Sequence, residues 1–233
     1  MDTPAATFAL GAIWFAAFLF STTLHEAAHA LVAWRLGDPT AYHGGQVSLN
    51  PIPHIRREPF GMVIVPLLSY ATSHWMLGWA SAPYDPTWAA RHPRRAGAMA
   101  LAGPLANLVL VLLSGTAIRV GAMMGSFTIP EQRSFARLVE AQAGGAADGI
   151  AALLSVFFSL NLILFLFNLL PLPPMDGSGV VQIFLPEEVS RRWQLTMRQP
   201  MLGLLGIVVA WRVFGYVFTP IFLAALRLLY PGA

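Results

Sequence analysis

Five long apolar stretches constrain this chain before anything else. They run over residues 7 to 34, 60 to 80, 96 to 120, 149 to 170 and 201 to 229. A helix needs about 20 mostly apolar residues to cross hydrocarbon, and each stretch is long enough. Composition agrees, since 11% of residues are charged and 56% are hydrophobic, where soluble domains carry roughly 25% charge. The expected fold class is an all-α polytopic membrane protein, with about five transmembrane helices in a single membrane-embedded domain spanning residues 1–233.

The charge pattern narrows the partners. All fourteen basic residues are arginine, and no basic cluster exceeds two adjacent residues. Nucleic acid is therefore not an expected partner; the lipid bilayer is. The arginine pairs at 56–57, 94–95 and 191–192 sit at segment ends, where headgroups explain them. Arginines on both sets of loops leave orientation undecided from charge alone. Cysteine is absent, which excludes disulfides and thiolate metal sites. The first six residues hold Asp2 and no positive charge, so the first apolar run reads as a retained helix and not a cleaved leader.

Punctuation between the apolar runs sets the remaining expectations. Asp38-Pro39 closes the first helix. Gly44-Gly45 is a turn signal between partly β-prone flanks, so a small β-hairpin is expected after the first helix, at Ala41 to Leu49. The stretch starting at Pro130, "PEQRSFARLVEAQ", has the pattern of a short amphipathic surface helix. Arg212 and Pro220 are expected to interrupt the last apolar run.

Ionisable groups inside an apolar helix are expensive and mark function. His25, Glu26 and His29 lie in "STTLHEAAHALVAW". Four positions of separation place His25 and His29 on one helix face. Two imidazoles so spaced can bind one zinc ion, with the glutamate beside them as general base. A catalytic zinc takes a third protein ligand. Asp176 in "NLLPLPPMDG" is the best candidate, because its prolines free backbone at membrane depth, where only protein or a cavity can face it. The competing reading of Asp176-Gly177 is an ordinary turn at the membrane surface.

The motifs "HEAAH", "GPLAN" and "NLLPLPPMDG", in that order, resemble the site-2 protease family of intramembrane zinc metalloproteases. "GGQVSLNPIPHI" resembles the linker of its compact bacterial branch. The resemblance implies one Zn2+ per chain, held by His25, His29 and Asp176, with Glu26 activating water. It implies cleavage of a membrane-spanning or membrane-adjacent protein or peptide substrate, and a multi-pass protein of the bacterial cell membrane whose active site opens toward the cytosol. It offers Asn107 as a substrate or transition-state partner, against the alternative of helix packing. Asn168 is expected to brace the proline-rich loop or support the site from behind.

The expected layout is a zinc helix at 7–36, a hairpin or linker at 37–58, and helices at 60–80, 96–120 and 149–170. A ligand loop at 171–179 and a C-terminal segment at 201–229 complete it. Met175 stands where the family usually has leucine, Arg56 where it often has aspartate, and Ser81-Ala82-Pro83 where it often has a lysine-proline pair. Two other readings compete with the protease: a non-catalytic zinc-binding relative, disfavoured by the intact Glu26, and a metal transporter, disfavoured because polar groups gather at one locus.

Overall fold

The computed structural model describes residues 4–230; Asp2 and the other residues at 1–3 and 231–233 lie outside the described residues. Helix α1 (Pro4–Arg35) leads through short helices α2 (Thr40–His43) and α3 (Pro51–Arg57) to a π-helical stretch (Phe60–Ile64) that continues as α4 (Val65–Ser73). Helices α5 (Pro86–Arg91) and α6 (Pro93–Met123) follow, then strands β1 (Phe127–Thr128) and β2 (Glu140–Ala141) and helix α7 (Ala146–Asn168). Helix α8 (Asp176–Val180) runs into a 3-10 turn (Val181–Ile183), and α9 (Glu187–Met197) and α10 (Pro200–Leu229) close the chain. Among the described residues, α1, α6, α7 and α10 are long and apolar enough to cross a membrane.

The four long helices alternate in direction. The Trp88 indole and the Arg95 guanidinium both donate to the Leu36 carbonyl, so α6 starts where α1 ends. Arg119 near the end of α6 donates to the Leu229 carbonyl at the end of α10. The last turn of α7 and the start of α10 therefore share the end at which α1 finishes. Buried positions on α6 recur at Ala96, Ala100, Gly103, Asn107, Val111, Ser114 and Ile118. That is one stripe of a 3.6-residue period, and its small residues let helices approach closely. Large apolar side chains such as Leu204, Trp211 and Tyr216 on α10 point outward, as lipid-facing positions should.

All five expected apolar segments are helical, but the second behaves differently. Phe60–Ser73 is shorter than a full crossing. It ends at His74, whose left-handed φ of 55° stops the helix, and residues 74–85 return as an irregular strap. Irregular backbone at depth must lie against protein. The Trp79 amide accordingly donates to the Gly61 carbonyl, and Leu77 N–H to Ser69 Oγ. Asp38 is sealed at the turn of this layer, accepting from Thr40 N–H and Asp85 N–H. Asp85 caps α5 in turn, and the Thr87 N–H holds its carboxyl below the usual carboxylate range.

Three local expectations are corrected. The hairpin at Ala41 to Leu49 does not form; the turn held by Asp38 starts α2 instead, and Gln46 N–H closes on the Ala41 carbonyl, so Gly44-Gly45 ends a helical turn. The two-stranded ladder lies elsewhere, pairing Phe127 with Ala141 and Thr128 with Glu140. The surface helix beginning at Pro130 is also absent. Leu138 and Val139 sink into the cluster of α6, α7 and α10, and both of their N–H groups reach Ser155 Oγ on α7. Finally, α10 runs through Arg212 and Pro220 as one helix.

Candidate metal centre

His25 and His29 face the same way from α1, as four-residue spacing requires, with imidazole centroids 4.6 Å apart. Asp176 arrives from the far end of the chain, on the first turn of α8. Its Oδ2 lies 3.0 Å from His25 Nε2 and its Oδ1 3.3 Å from His29 Nε2. The two Nε2 atoms are themselves 3.0 Å apart. One ligand atom from each of the three residues falls within 4.8 Å of the others.

The outer nitrogens settle the tautomers. His25 Nδ1–H donates to Asn107 Oδ1 at 2.5 Å, and His29 Nδ1–H donates to the Met99 carbonyl at 2.7 Å. Neutral imidazoles so held turn both Nε2 lone pairs toward one point and toward a carboxylate. Three facing acceptors repel unless a cation lies between them. Two neutral imidazoles and one carboxylate are also a common donor set for catalytic zinc. The residues present therefore fit a zinc ion. Gly103 makes room: a Cβ there would meet the Nε2 atoms of both histidines.

Asn107 does not stand over the cluster but behind it. Its Nδ2 donates to Asn161 Oδ1 at 2.8 Å, and Asn161 Nδ2 donates to Ser21 Oγ at 2.9 Å and to the Phe157 carbonyl. The chain Ser21–Asn161–Asn107–His25 thus joins α1, α7 and α6 in one buried line. The contacts of Asn161 with Asn107 and Ser21 are long-range and leave no mark on local sequence pattern. Asn168 sits half-buried at the end of α7, outside this chain and outside the cavity described next.

Glu26, buried beside the ligand face, lines a cavity of about 260 Å³ together with His29 and Asp176. The loop preceding Asp176 walls it through Pro174 and Met175. Gln182, Gln194, Tyr84 and Arg198 line it as well, with the Arg198 guanidinium donating to Tyr84 Oη at 3.3 Å. His29 and His25 precede Arg35, the last residue of α1, by six and ten residues. At 1.5 Å per residue the site lies about 9 to 15 Å from that end of the bundle. Packing keeps the loop in place: Gly177 fits under the carbonyls of Leu169 and Leu170, and Gly206 of α10 fits against the Pro173 carbonyl. A side chain at either position would strike backbone.

Apolar helices around two buried histidines and a half-buried aspartate, with a further carboxylate beside a cavity, mark the class of membrane metallohydrolases. The chain belongs to Peptidase family M50, whose family model matches residues 13–210, and it is a zinc metalloprotease with a multi-pass membrane fold. Similar proteins carry the same assignment in their names. "Putative zinc metalloprotease YwhC" of Bacillus subtilis (strain 168) is 34% identical over 175 residues, covering 75% of this chain and 69% of the relative. "Putative zinc metalloprotease Rip2" of Mycolicibacterium smegmatis (strain ATCC 700084 / mc(2)155) is 32% identical over 180 residues, covering 76% of this chain and 58% of the relative. The protein of the same name from Mycobacterium tuberculosis (strain ATCC 25618 / H37Rv) is 29% identical over 203 residues, covering 87% and 69%. The chain thus spans little more than half of the second relative's length. No solved structure matches it.

Proposed function

We propose that this protein is an intramembrane endopeptidase that binds one zinc ion through His25, His29 and Asp176 and hydrolyses peptide bonds of membrane-spanning or membrane-adjacent substrates. The observation that carries the reading is the convergence of those three side chains, from positions 151 residues apart, beside a buried glutamate. The chemistry that a zinc ion supplies in such a site is Lewis acidity, toward the scissile carbonyl and toward a water whose pKa falls to about 7.

The chain's own residues do the rest. Glu26 accepts a proton from the attacking water on a carboxylate oxygen, as water oxygen bonds to the carbonyl carbon. The carbon–nitrogen bond then breaks, and Glu26 returns the proton to the departing amine. Asn107 and the Met99 carbonyl keep His25 and His29 in the tautomer that leaves Nε2 free.

Charge placement supports an opening toward the cytosol. Arg35, Arg91, Arg198 and the pairs Arg56–Arg57, Arg94–Arg95 and Arg191–Arg192 fall at the end where α1 finishes and α6 begins. These are nine of the fourteen arginines. Arginine-rich ends of membrane bundles stay cytoplasmic, and the cavity lies nearer that end. On this reading the protein resides in the bacterial cell membrane.

The test compares purified wild type with Glu26→Gln. Zinc content should be equal, while cleavage of single-pass model peptides in liposomes should fall by at least 100-fold, in the range expected for loss of a general base. Cleavage at the wild-type rate by zinc-loaded Glu26→Gln would refute the role of Glu26.

A further inference from the structure

Peptide hydrolysis at membrane depth creates a second need besides water. The substrate must leave its helix around the cut bond, and its freed N–H and C=O groups must be paired by protein. An added strand on the segment 41–49 would have met that need, but this segment forms no ladder among the described residues. Another element of the cavity wall can meet it.

Gln182 in the 3-10 turn and Gln194 on α9 each expose only 7% of their surface, and both line the cavity that holds Glu26, His29 and Asp176. Their orientation follows from one fixed acceptor. The Ala89 carbonyl can only accept, so the group 3.0 Å from it is the Gln194 amide nitrogen. That nitrogen also donates to the Gln182 amide oxygen. Both Gln194 amide hydrogens are thereby used. What remains is the Gln194 oxygen, an acceptor, and the Gln182 nitrogen, a donor.

Neither atom has a protein partner among the described residues. Neither is one of the polar atoms sealed away without a partner, so both keep some exposed surface, on side chains that line the cavity. Trp193 Nε1–H donates to the Ser178 carbonyl at 2.7 Å, fixing α9 against the helix that carries Asp176. The element that carries Gln194 is therefore tied directly to the helix that carries Asp176.

We infer that Gln182 and Gln194 form a substrate-backbone cradle: the Gln194 amide oxygen accepts an N–H, and the Gln182 amide nitrogen donates to a C=O, of the unwound peptide segment beside the cut bond. One donor and one acceptor side by side reproduce what a strand edge offers. The recognition reads backbone and ignores side chains. The inference rests on the protease reading above and names the chemistry by which its substrate is held.

The experiment uses the full chain carrying Glu26→Gln, loaded with zinc, so that binding is read without turnover. The probe is a fluorescent single-pass model peptide in detergent micelles, together with a series in which each backbone amide near the cut bond is replaced by an ester. An ester lacks the N–H and removes one donor. Gln182→Met and Gln194→Met should each weaken binding of the all-amide peptide about tenfold, with zinc content unchanged. One ester position should cost about tenfold with the glutamines present and nothing further with Gln194→Met. Unchanged affinity in either variant, or an ester penalty that survives Gln194→Met, would overturn the cradle. If Gln194→Met does not fold, the ester series with the glutamine pair intact together with Gln182→Met decides: sensitivity to both supports the cradle, and insensitivity to either overturns it. The protease reading fails separately, through cleavage by Glu26→Gln, so the two failures are distinguishable.

Discussion

At the residue scale, the buried line from Ser21 through Asn161 and Asn107 to His25 has a measurable role. A hydrogen bond between membrane helices averages about 0.6 kcal/mol, so losing the two interhelical bonds of Asn161 should cost about 1 kcal/mol. Partners that orient a metal-bound histidine typically change metal affinity 10- to 100-fold. Asn161→Leu should therefore keep the fold and weaken zinc binding about tenfold, measured by competition with a chelator of known affinity. Unchanged affinity together with a lower melting temperature would assign the line to packing alone. Much at this scale was legible in the sequence, because HExxH imposes its own geometry and Asp176 follows a run of prolines that no buried helix tolerates. Asn161 was not legible, since its partners lie 54 and 140 residues away.

At the element scale, α10 illustrates support without chemistry. It carries no candidate ligand, yet Gly206 lies against the Pro173 carbonyl at the base of the loop bearing Asp176. Gly206→Val should push that loop away and lower zinc affinity, though the substitution sits 30 residues from the nearest ligand; zinc titration of the purified variant checks this. The errors of sequence reading were also at this scale. Glycine pairs and amphipathic spacing speak only of local preference. Asp38 converted the first into a helical turn, and burial of Leu138 and Val139 overrode the second. Helix boundaries were harder still, because lipid-facing and protein-facing positions are equally apolar, and periodicity fades where solvent contrast is lost.

For the whole molecule, the alternation of the four long helices gathers arginines that looked evenly spread along the chain. The lack of cysteine makes their side of the membrane directly measurable. Cysteines placed singly at Ser81 and at Ser126 need no prior substitutions in the background. Ser81 borders the cavity and Ser126 lies near the opposite end, beside β1. A membrane-impermeant thiol reagent applied to intact cells should label the cysteine at 126 and spare the one at 81; the reverse pattern would invert the proposed orientation.

The shallow position of the histidines has a further consequence. Under the proposed activity the protein is a depth gauge as much as a cutter, because a fixed blade some 9 to 15 Å from one face can reach only bonds that present themselves at that level. Lengthening a substrate's hydrophobic span by leucines on the arginine-rich side should shift the severed bond by the same number of residues, as mass spectrometry of the fragments would show. A cut that stayed with its own sequence would mean that the blade reads letters and not distance.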